Sequence, residues 1–284
     1  MAKSVAIQGY KGCFHEQAAR LFYSCHSEPS LCHSERSEES LSIVECNTFE
    51  DLFKVKADAI VIAIENTVSG GLLHNFELLR NSGRAVKGEV YIRIGQNLMA
   101  LPGQTVRDIR EVRTHYMAIN QTRPWFEKNA PWIRLSESED TAKSAAELAR
   151  SGEMGVGAVA GELAASLYGL EILAPGIETN KQNFTRFLVM DDSMEVPQES
   201  INKALLCFTL PHKPGSLAQI LTILSFYDMN LTRIQSLPIP GREWQYFFYA
   251  DIKFDSYQRY LQALQAVKPL IEDLQILGEY TSAL

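Results

Sequence analysis

Four clusters of polar residues and glycines lie at the ends of predicted strands in this chain of 284 residues, at positions 8–14, 65–71, 114–121 and 183–187. Short apolar runs are typical of buried strands, and open α/β sheets bind ligands at the carboxyl ends of their strands. Polar side chains at such an edge are therefore placed where a ligand could bind. The four clusters are therefore the candidates for chemistry.

Two common catalytic patterns do not occur in the sequence. Gly9-Tyr10-Lys11-Gly12 lacks the Gly-Lys-Ser/Thr end of a nucleotide-binding Walker loop, and the chain has no Gly-x-Ser-x-Gly nucleophile elbow. Cys13 has no base partner near it in sequence, so nucleophilic catalysis through its thiol is a weak hypothesis.

Composition and charge narrow the class of protein. Hydrophobic residues make up 46% and charged residues 21%, which is ordinary for a globular chain of about two domains. Lys and Arg number 27 against 34 Asp and Glu, and the formal net charge of −7 argues against a general binder of nucleic acid. No apolar run approaches the roughly 18 residues that span a bilayer, so no membrane partner is expected.

The start of the chain and its cysteines predict a cytosolic protein. Residues 1–9 contain no apolar stretch of signal-peptide length. The cysteines are odd in number and lack the spacing of a disulfide framework, so free thiols are expected at Cys13, Cys25, Cys32, Cys46 and Cys207.

Residues 24–42 differ from the rest of the chain in composition. They are dominated by Ser, Glu, Cys and His, and Cys-His-Ser-Glu occurs twice. Such a segment buries little apolar area, so we interpret it as a low-complexity surface insertion. The alternative is a metal site formed by Cys25, His26, Cys32 and His33, but their spacing is not that of common zinc ligands. We therefore predict no metal.

Strand-like and helix-like segments alternate through the first 190 residues. Residues 59–64 are all apolar, as in a strand covered on both faces, and residues 5–7, 111–114 and 155–159 also have strand character. Helical patterns lie between these strands, with Asp140 as the N-cap of a helix over 141–150. A further helix over residues 162–168 ends at Gly169, a typical C-terminal glycine. The alternation predicts an α/β layout.

A polar linker over residues 191–201 separates this part from a second pattern. Strands are predicted at 203–210, 230–237, 244–253 and 274–277, and helical apolar stripes after Pro214 and from Tyr257. Pro214 is expected at the first helical position. The order βαββαβ is the ferredoxin-like motif, whose uncovered sheet edges favour a homo-oligomer.

Six motifs follow one another in a distinctive order. They are Gly9-Tyr10-Lys11-Gly12-Cys13-Phe14, then Ile64-Glu65-Asn66-Thr67 with Gly70-Gly71, Thr114-His115 through Gln121-Thr122, Asp140-Thr141-Ala142, Ala164-Ala165 to Tyr168-Gly169-Leu170, and Asn183-Phe184-Thr185-Arg186-Phe187. In this order they resemble the prephenate dehydratase family. Residues 202–284 resemble its ACT domain through Gly215-Ser216-Leu217 and Asn230-Leu231-Thr232.

The resemblance implies a fold and a reaction. The expected fold is a two-lobed catalytic domain of the periplasmic-binding-protein type over residues 1–190, a linker over 191–201 and an ACT domain over 202–284. The expected activity is the decarboxylating dehydration of prephenate to phenylpyruvate in L-phenylalanine biosynthesis, with feedback by L-phenylalanine. Aromatisation drives this reaction, so no cofactor is implied.

Several motif positions depart from the family pattern. Thr67 and Thr114 stand where the family has Ser, and Tyr116 stands where it has Pro. The family segment Thr-Phe-Ser is Cys13-Phe14-His15, and its Glu-Ser-Arg-Pro is Gln235-Ser236-Leu237-Pro238. Activity is expected, whereas these changes bear on the kinetics and on the response to an effector.

The resemblance also implies roles for individual residues. Thr185 is the expected hydrogen-bond donor to the leaving hydroxyl, and Thr114 and Gln121 are expected to orient the substrate. Arg186 and the backbone N–H groups of the Gly9–Gly12 turn and of Gly70-Gly71 would hold carboxylates. The full predicted substrate-binding set is Gly9, Gly12, Phe14, Glu65, Asn66, Thr67, Gly70, Gly71, His115, Thr141, Asn183, Phe184, Arg186 and Phe187.

Structural roles remain open for several of these residues. Thr185 could satisfy backbone groups at a strand start, Arg186 could form a domain-interface ion pair, and His115 could be a packed histidine. Glu65 and Asn66 could hold the donors in place without touching substrate.

The ACT resemblance implies a phenylalanine site at a dimer interface. The helix start at 215–217 offers N–H groups to the amino acid carboxylate, and Asn230 could accept from its ammonium group. The predicted regulatory residues are His212, Gly215, Ser216, Leu217, Asn230, Leu231, Gln235 and Ser236, in a homodimer or homotetramer.

Two other functions fit the same sequence. One is an arogenate dehydratase, whose substrate carries an amino group in place of the keto group. The other is a non-catalytic amino-acid or solute-binding protein, since two α/β lobes with a cleft suit binding as well as catalysis.

Overall fold

The alternation of apolar strands and amphipathic helices persists through the computed structural model, which describes residues 2–26 and 41–284. Most of the predicted insertion, with Cys32 and His33, lies outside the described residues. The elements are β1 Ser4–Gln8, α1 Phe14–His26, β2 Ser42–Cys46, β3 Ala59–Asn66, β4 Gly70–Gly71, α2 Leu73–Ser82, β5 Val86–Arg93, β6 Asn97–Ala100, β7 Glu111–His115, α3 Tyr116–Asn129, β8 Arg134–Ser138, α4 Thr141–Ser151, β9 Val156–Ala160, α5 Glu162–Tyr168, β10 Glu171–Ala174, β11 Phe184–Asp191, β12 Lys203–Thr209, α6 Ser216–Phe226, β13 Asn230–Pro238, β14 Tyr246–Lys253, α7 Tyr257–Val267 and β15 Asp273–Tyr280.

The described residues fall into two compact units. The N-terminal unit contains the residues up to Gly71 together with Tyr91–Phe187, and the C-terminal unit contains Leu72–Val90 together with Leu188–Leu284. The contacts of segment 72–90 therefore assign it to the same unit as the C-terminal residues. The sequence patterns do not indicate this assignment.

The first lobe of the N-terminal unit is a parallel sheet. β1 lies between β2 and β3, with Val5 opposite both Ile43 and Ala59. This central position explains why the middle of β1 and the first six residues of β3 are apolar and buried. β4 turns back to pair with the end of β3, Glu65 opposite Gly71. The three parallel strands therefore end at one edge, close to a tight turn.

The second lobe is a five-stranded mixed sheet in the order β10-β6-β9-β7-β8. β7 is parallel to both β8 and β9, whereas β6 is antiparallel to β9 and to β10. Helices follow β7, β8 and β9 directly, so the starts of α3, α4 and α5 follow the carboxyl ends of parallel strands. The two-lobed α/β prediction is confirmed.

The C-terminal unit contains the predicted βαββαβ motif in the strand order β13-β14-β12-β15. One face of this sheet packs against α6 and α7 through a buried cluster that includes Leu206, Ile220 and Tyr260. α2 contacts the other face, where the rings of Phe76 and Tyr249 lie 5.1 Å apart. The Arg80 guanidinium lies 3.7 Å from the centre of the Phe247 ring. These contacts explain why residues 72–90 group with the C-terminal chain.

Two details of the predicted elements are corrected. Pro214 is not the first helical residue, because α6 begins at Ser216 and Gly215, with φ +81°, is its N-cap. The first residue of the predicted linker, Asp191, is part of a strand, because it ends β11 and is fully buried. The caps at Asp140 and Gly169 lie where they were expected. Among the described residues, no helix combines the length and apolarity needed to cross a membrane.

Candidate active site

The turn after β3 is held by the side chain of Asn66. Its Oδ1 accepts hydrogen bonds from the backbone N–H groups of Val68 and Ser69, both at 2.9 Å. Its Nδ2 lies 2.6 Å from Asn183 Oδ1 and 2.9 Å from Thr185 Oγ1. One amide therefore fixes the turn and joins it to the start of β11, as predicted for a residue that holds other groups in place.

The Thr185 hydroxyl takes part in this junction through Asn66. The Thr185 side chain is largely buried, and its Oγ1 accepts a hydrogen bond from Asn66. Within the described part of the chain, no acceptor takes the Thr185 hydroxyl proton. The hydroxyl is therefore oriented by Asn66 and keeps its own proton for another acceptor.

Thr67 ties the same two segments together. Its hydroxyl donates to the Gln182 carbonyl at 3.0 Å and accepts from the Phe184 N–H at 2.9 Å. Asn183 is buried, whereas Phe184 is 38% exposed and Gly70 and Gly71 are exposed. The second and fourth sequence clusters are thus brought together by hydrogen bonds across more than a hundred residues.

Arg186 and Glu65 form an ion pair in the N-terminal unit. Arg186 Nη1 lies 3.2 Å from Glu65 Oε1, with side-chain exposures of 2% and 31% respectively. The buried guanidinium leaves little surface for a substrate carboxylate. This geometry supports an ion-pair role for Arg186 more than direct substrate binding. The pair is not the domain-interface pair that was left open, because both residues belong to the N-terminal unit.

In the turn between β1 and α1, the backbone N–H groups of Gly9, Lys11 and Gly12 donate hydrogen bonds within the chain. Gly9 and Gly12 have φ of +102° and +88°, the region that glycine enters without strain. The N–H of Gly12 donates to Glu16 Oε2 at 2.6 Å, and that of Lys11 donates to Glu45 Oε1 at 2.5 Å. The Gly9 N–H donates to a backbone carbonyl at 2.9 Å. These groups are therefore not free to hold an anion as predicted, because carboxylates of the chain already occupy the turn.

Glu16 and Glu45 are functional candidates that the sequence reading missed. Glu16 is almost fully buried and also pairs with Arg20, while Glu45 is the residue before the last in the neighbouring strand β2. For Glu16, the sequence offered one signal, which is an acidic residue in the first turn of a helix, where it complements the helix dipole.

Glycines let this turn approach the second lobe. A Cβ on Gly12 would lie 3.0 Å from Ala164 Cα in α5, and one on Gly161 would lie 3.2 Å from the Phe14 ring. A Cβ on Gly9 would lie 3.3 Å from Asp140 Oδ2. The first cluster of the sequence therefore meets the starts of α4 and α5 at the junction of the lobes.

His15 lies in the first turn of α1 beside the ring of Phe187, with ring centres 4.9 Å apart, and beside Phe49 at 5.8 Å. Its Nε2 accepts a hydrogen bond from the Ala63 N–H at 3.3 Å. Burial lowers the pKa of His15 to about 3, so the imidazole is neutral at physiological pH. The buried Phe187 thus contacts His15 and does not itself line an open surface.

Burial makes Cys13 a poor nucleophile. Burial, together with the negative charge of Asp140, raises the pKa of the Cys13 thiol to about 12. Because the thiolate is the reactive form, little of it exists near neutral pH. Cys25, in contrast, is exposed.

We expect iodoacetamide at pH 8 to alkylate Cys25 well before Cys13 in the folded protein, because the two thiols differ in access and in thiolate content. Peptide mass spectrometry after timed quenching measures both sites, and alkylation in denaturant provides the control in which both react. Rapid modification of Cys13 in the folded state would contradict the buried thiol.

The second lobe places Thr114 differently from the prediction, whereas the predicted role of Gln121 stays a prediction. Thr114 has no exposed surface and donates its hydroxyl proton to the Val159 carbonyl at 2.6 Å. Gln121 accepts from Gln96 Nε2 at 3.3 Å through its side chain. Thr114 therefore joins two strands, and this geometry does not support its predicted contact with substrate.

We expect Thr114→Val to lower the free energy of unfolding by about 1–3 kcal/mol, because a buried carbonyl loses a donor. We also expect the KM for substrate to stay unchanged, since Thr114 presents no atom to the site. Thermal unfolding and steady-state kinetics measure the two effects, with Thr114→Ser as the control that keeps the hydroxyl. A raised KM in the valine variant alone would restore Thr114 to the binding set.

Helix starts in the second lobe are capped by side chains of the motifs. His115 Nδ1 accepts from the Met117 N–H at 3.3 Å, and burial lowers its pKa. Asp140 Oδ1 accepts from the Lys143 N–H at 2.9 Å, and burial raises its pKa. Thr141 follows as the first residue of α4. His115 thus has the packed, hydrogen-bonded role that was left open.

The predicted regulatory residues lie at two ends of the C-terminal sheet. Asn230 pairs with Lys253, which pairs with Lys203 at the start of β12, whereas α6 and Gly215 follow the other end of that strand. A seven-residue strand is about 23 Å long, so a single chain keeps Asn230 apart from the α6 start. Of the other predicted regulatory residues, His212 is exposed shortly before α6, and Ser216 and Leu217 are the first two residues of α6. Leu231, Gln235 and Ser236 lie along β13.

The N-terminal unit thus consists of two α/β lobes that meet at glycine turns and helix starts, and the C-terminal unit contains a ferredoxin-like βαββαβ motif. Within residues 2–26 and 41–284, no group of His, Cys, Asp and Glu side chains is arranged to hold a metal ion. The family model described as prephenate dehydratase matches residues 5–195. The chain belongs to the prephenate dehydratase family, the hydro-lyases of L-phenylalanine biosynthesis.

Known proteins cover nearly the whole chain. A bifunctional chorismate mutase/prephenate dehydratase from Aquifex aeolicus is 34% identical over 99% of this chain and 74% of its own length. A prephenate dehydratase from Arthrobacter aurescens, solved in complex with L-Phe, is 25% identical with a TM-score of 0.79 over 98% of this chain and 90% of that one. GqqA, described as a novel type of quorum quenching acylase, is 26% identical with a TM-score of 0.83 over 99% and 98%.

Proposed function

We propose that this chain converts prephenate to phenylpyruvate, carbon dioxide and water, with Thr185 as the hydrogen-bond donor to the leaving hydroxyl. The observation that carries the proposal is the Thr185 hydroxyl itself. It is held at 2.9 Å by Asn66, and no acceptor in the described chain takes its proton. A hydroxyl held in this way matches a reaction in which a substrate hydroxyl must be polarised.

Asn66 strengthens this donor as well as placing it. A hydroxyl that accepts a hydrogen bond becomes a better donor, because successive hydrogen bonds polarise one another. The Asn66 amide is itself fixed by the turn N–H groups of Val68 and Ser69. The Thr185 proton therefore points to one place before substrate arrives, which reduces the reorganisation needed in the transition state.

Departure of the ring carboxylate completes the reaction. Loss of water and of carbon dioxide produces an aromatic ring, and this aromatisation supplies the driving force. Threonine is too weak an acid to give up its proton, so it polarises the departing oxygen through a hydrogen bond as the carbon–oxygen bond breaks. The electron pair of the bond to the carboxylate carbon enters the ring, and the hydroxide that leaves takes a proton from solvent to become water. The chain's own tasks are to hold the dianion and to polarise the hydroxyl.

A direct assay tests the proposed substrate against the alternatives. Phenylpyruvate formation from prephenate, compared with phenylalanine formation from arogenate, identifies the preferred substrate. A third assay, hydrolysis of an N-acyl amide, tests acylase activity, which the buried Cys13 thiol does not favour. Binding of prephenate without turnover would favour the binding-protein alternative and overturn the proposal.

We further propose that L-phenylalanine regulates the enzyme between two copies of the C-terminal unit. Support comes from the separation of Asn230 from the α6 start within one chain, since a second copy can supply the missing half of the site. β13 is an edge strand of the described sheet and offers a pairing surface. Sedimentation with and without phenylalanine tests the oligomeric state.

We also propose the domain boundaries at 190 and 202 and a cytosolic location.

A further inference from the structure

His15 lies at the carboxyl edge of the first-lobe sheet. It is the second residue of α1, which follows β1, while its contacts Phe49 and Ala63 follow β2 and lie near the end of β3. Its ring also contacts Phe187, two residues after Thr185. His15 is therefore placed beside the residues proposed to carry the reaction.

The hydrogen bond to Ala63 fixes which ring nitrogen carries the proton. Because Nε2 accepts from the Ala63 N–H, it is unprotonated, and a neutral imidazole must then carry its proton on Nδ1. The His15 side chain is only partly buried. No residue within 2–26 and 41–284 accepts a hydrogen bond from Nδ1, so the protein leaves this N–H without a partner there.

Most backbone N–H groups of the turn before His15 already have partners within the chain. The N–H groups of Lys11 and Gly12 are bonded to Glu45 and Glu16, and that of Cys13 donates to the Tyr10 carbonyl. A dianionic substrate that binds near the carboxylates of Glu16 and Glu45 requires hydrogen-bond donors from the protein. His15 Nδ1–H is a donor at this edge that the protein itself does not use.

We infer that the Nδ1–H of His15 donates a hydrogen bond to a carboxylate of the bound substrate, which makes His15 a binding residue of this chain's site. The inference rests on the proposed prephenate substrate. A hydrogen bond between a neutral N–H and a carboxylate is charge-assisted and sensitive to geometry. The contact also needs Ala63, because the Ala63 N–H selects the tautomer.

A matched pair of amides separates the two ring nitrogens. In His15→Asn the side-chain nitrogen falls near the position of Nδ1, and in His15→Gln the terminal atoms fall near Nε2. We expect the asparagine variant to keep a KM for prephenate close to that of the wild type. We expect the glutamine variant to raise KM about tenfold, equivalent to about 1.4 kcal/mol, with kcat little changed. His15→Phe keeps the ring beside Phe187 without a donor and should behave like the glutamine variant.

The opposite pattern overturns the inference. If glutamine preserves KM and asparagine does not, His15 acts only by holding Ala63. Equal KM values in all variants would also overturn it. Prephenate binding by calorimetry on the same proteins keeps the two proposals apart, because a wild type that binds without turnover refutes the reaction while its variants still report on His15. A folded wild type that neither binds nor converts prephenate refutes both, and thermal unfolding checks that each variant is folded.

Discussion

Thr185→Val is expected to lower kcat for phenylpyruvate formation by about 10²–10⁴-fold, the usual contribution of a positioned proton donor. Valine has nearly the shape of threonine, so the packing at the start of β11 is kept while the hydroxyl is lost. The KM should change much less, because the hydroxyl is proposed to act mainly as the carbon–oxygen bond breaks. Steady-state formation of phenylpyruvate from prephenate measures both constants.

The control for this experiment is Thr185→Ser, which keeps the hydroxyl and its bond from Asn66. We expect it to retain most of the activity. If valine and serine variants have equal kcat, the hydroxyl has the structural role at the strand start that the sequence left open. Thermal unfolding of both variants shows whether loss of the Asn66 contact also costs stability.

Lys203→Met is expected to destabilise the C-terminal unit by about 3–5 kcal/mol, because it leaves a buried carboxylate without its partner. Lys203 Nζ lies 2.9 Å from both carboxylate oxygens of Glu89, and the two side chains are only 4% and 0% exposed. Glu89 also accepts from the Ala283 N–H at 3.2 Å, which holds the end of the chain. Urea unfolding followed by circular dichroism measures the loss.

The double variant Glu89→Leu with Lys203→Met is the matched control. Replacing both charges by apolar groups removes the unpaired carboxylate, and such replacements of buried pairs are often neutral or stabilising. We therefore expect the double variant to recover most of the lost stability. A single variant as stable as the wild type would show that the pair is hydrated in solution.

The sequence predicted the elements well where the pattern was strong and local. The apolar run 59–64, the Asp140 cap and Gly169 each depend on neighbouring residues, and each lies where it was expected. Strands such as β8 and β10 were missed because they are short and only partly buried. Their strand structure is stabilised by pairing with β7 and β6, which a local pattern does not show.

The candidate site was predicted in its composition and only partly in its contacts. The union of Asn66 with Thr185 spans 119 positions and followed from the family motifs. The donor bond from Thr114 to Val159 and the pairing of Arg186 with Glu65 did not follow, because several acceptors were available to each side chain. Which acceptor a side chain finds depends on how the strands are placed side by side.

By itself, the sequence determined the α/β class, the βαββαβ unit and the family, because periodicity and the order of motifs are properties of the chain. The tertiary structure alone decided which donors remain for a ligand. Packing of the strand ends directs Glu16 and Glu45 onto the first turn, closes Thr114 within the second sheet and leaves Thr185 and His15 with protons to donate. Hydrogen-bond donors are assigned by proximity in space, and that proximity is created only when distant segments pack together.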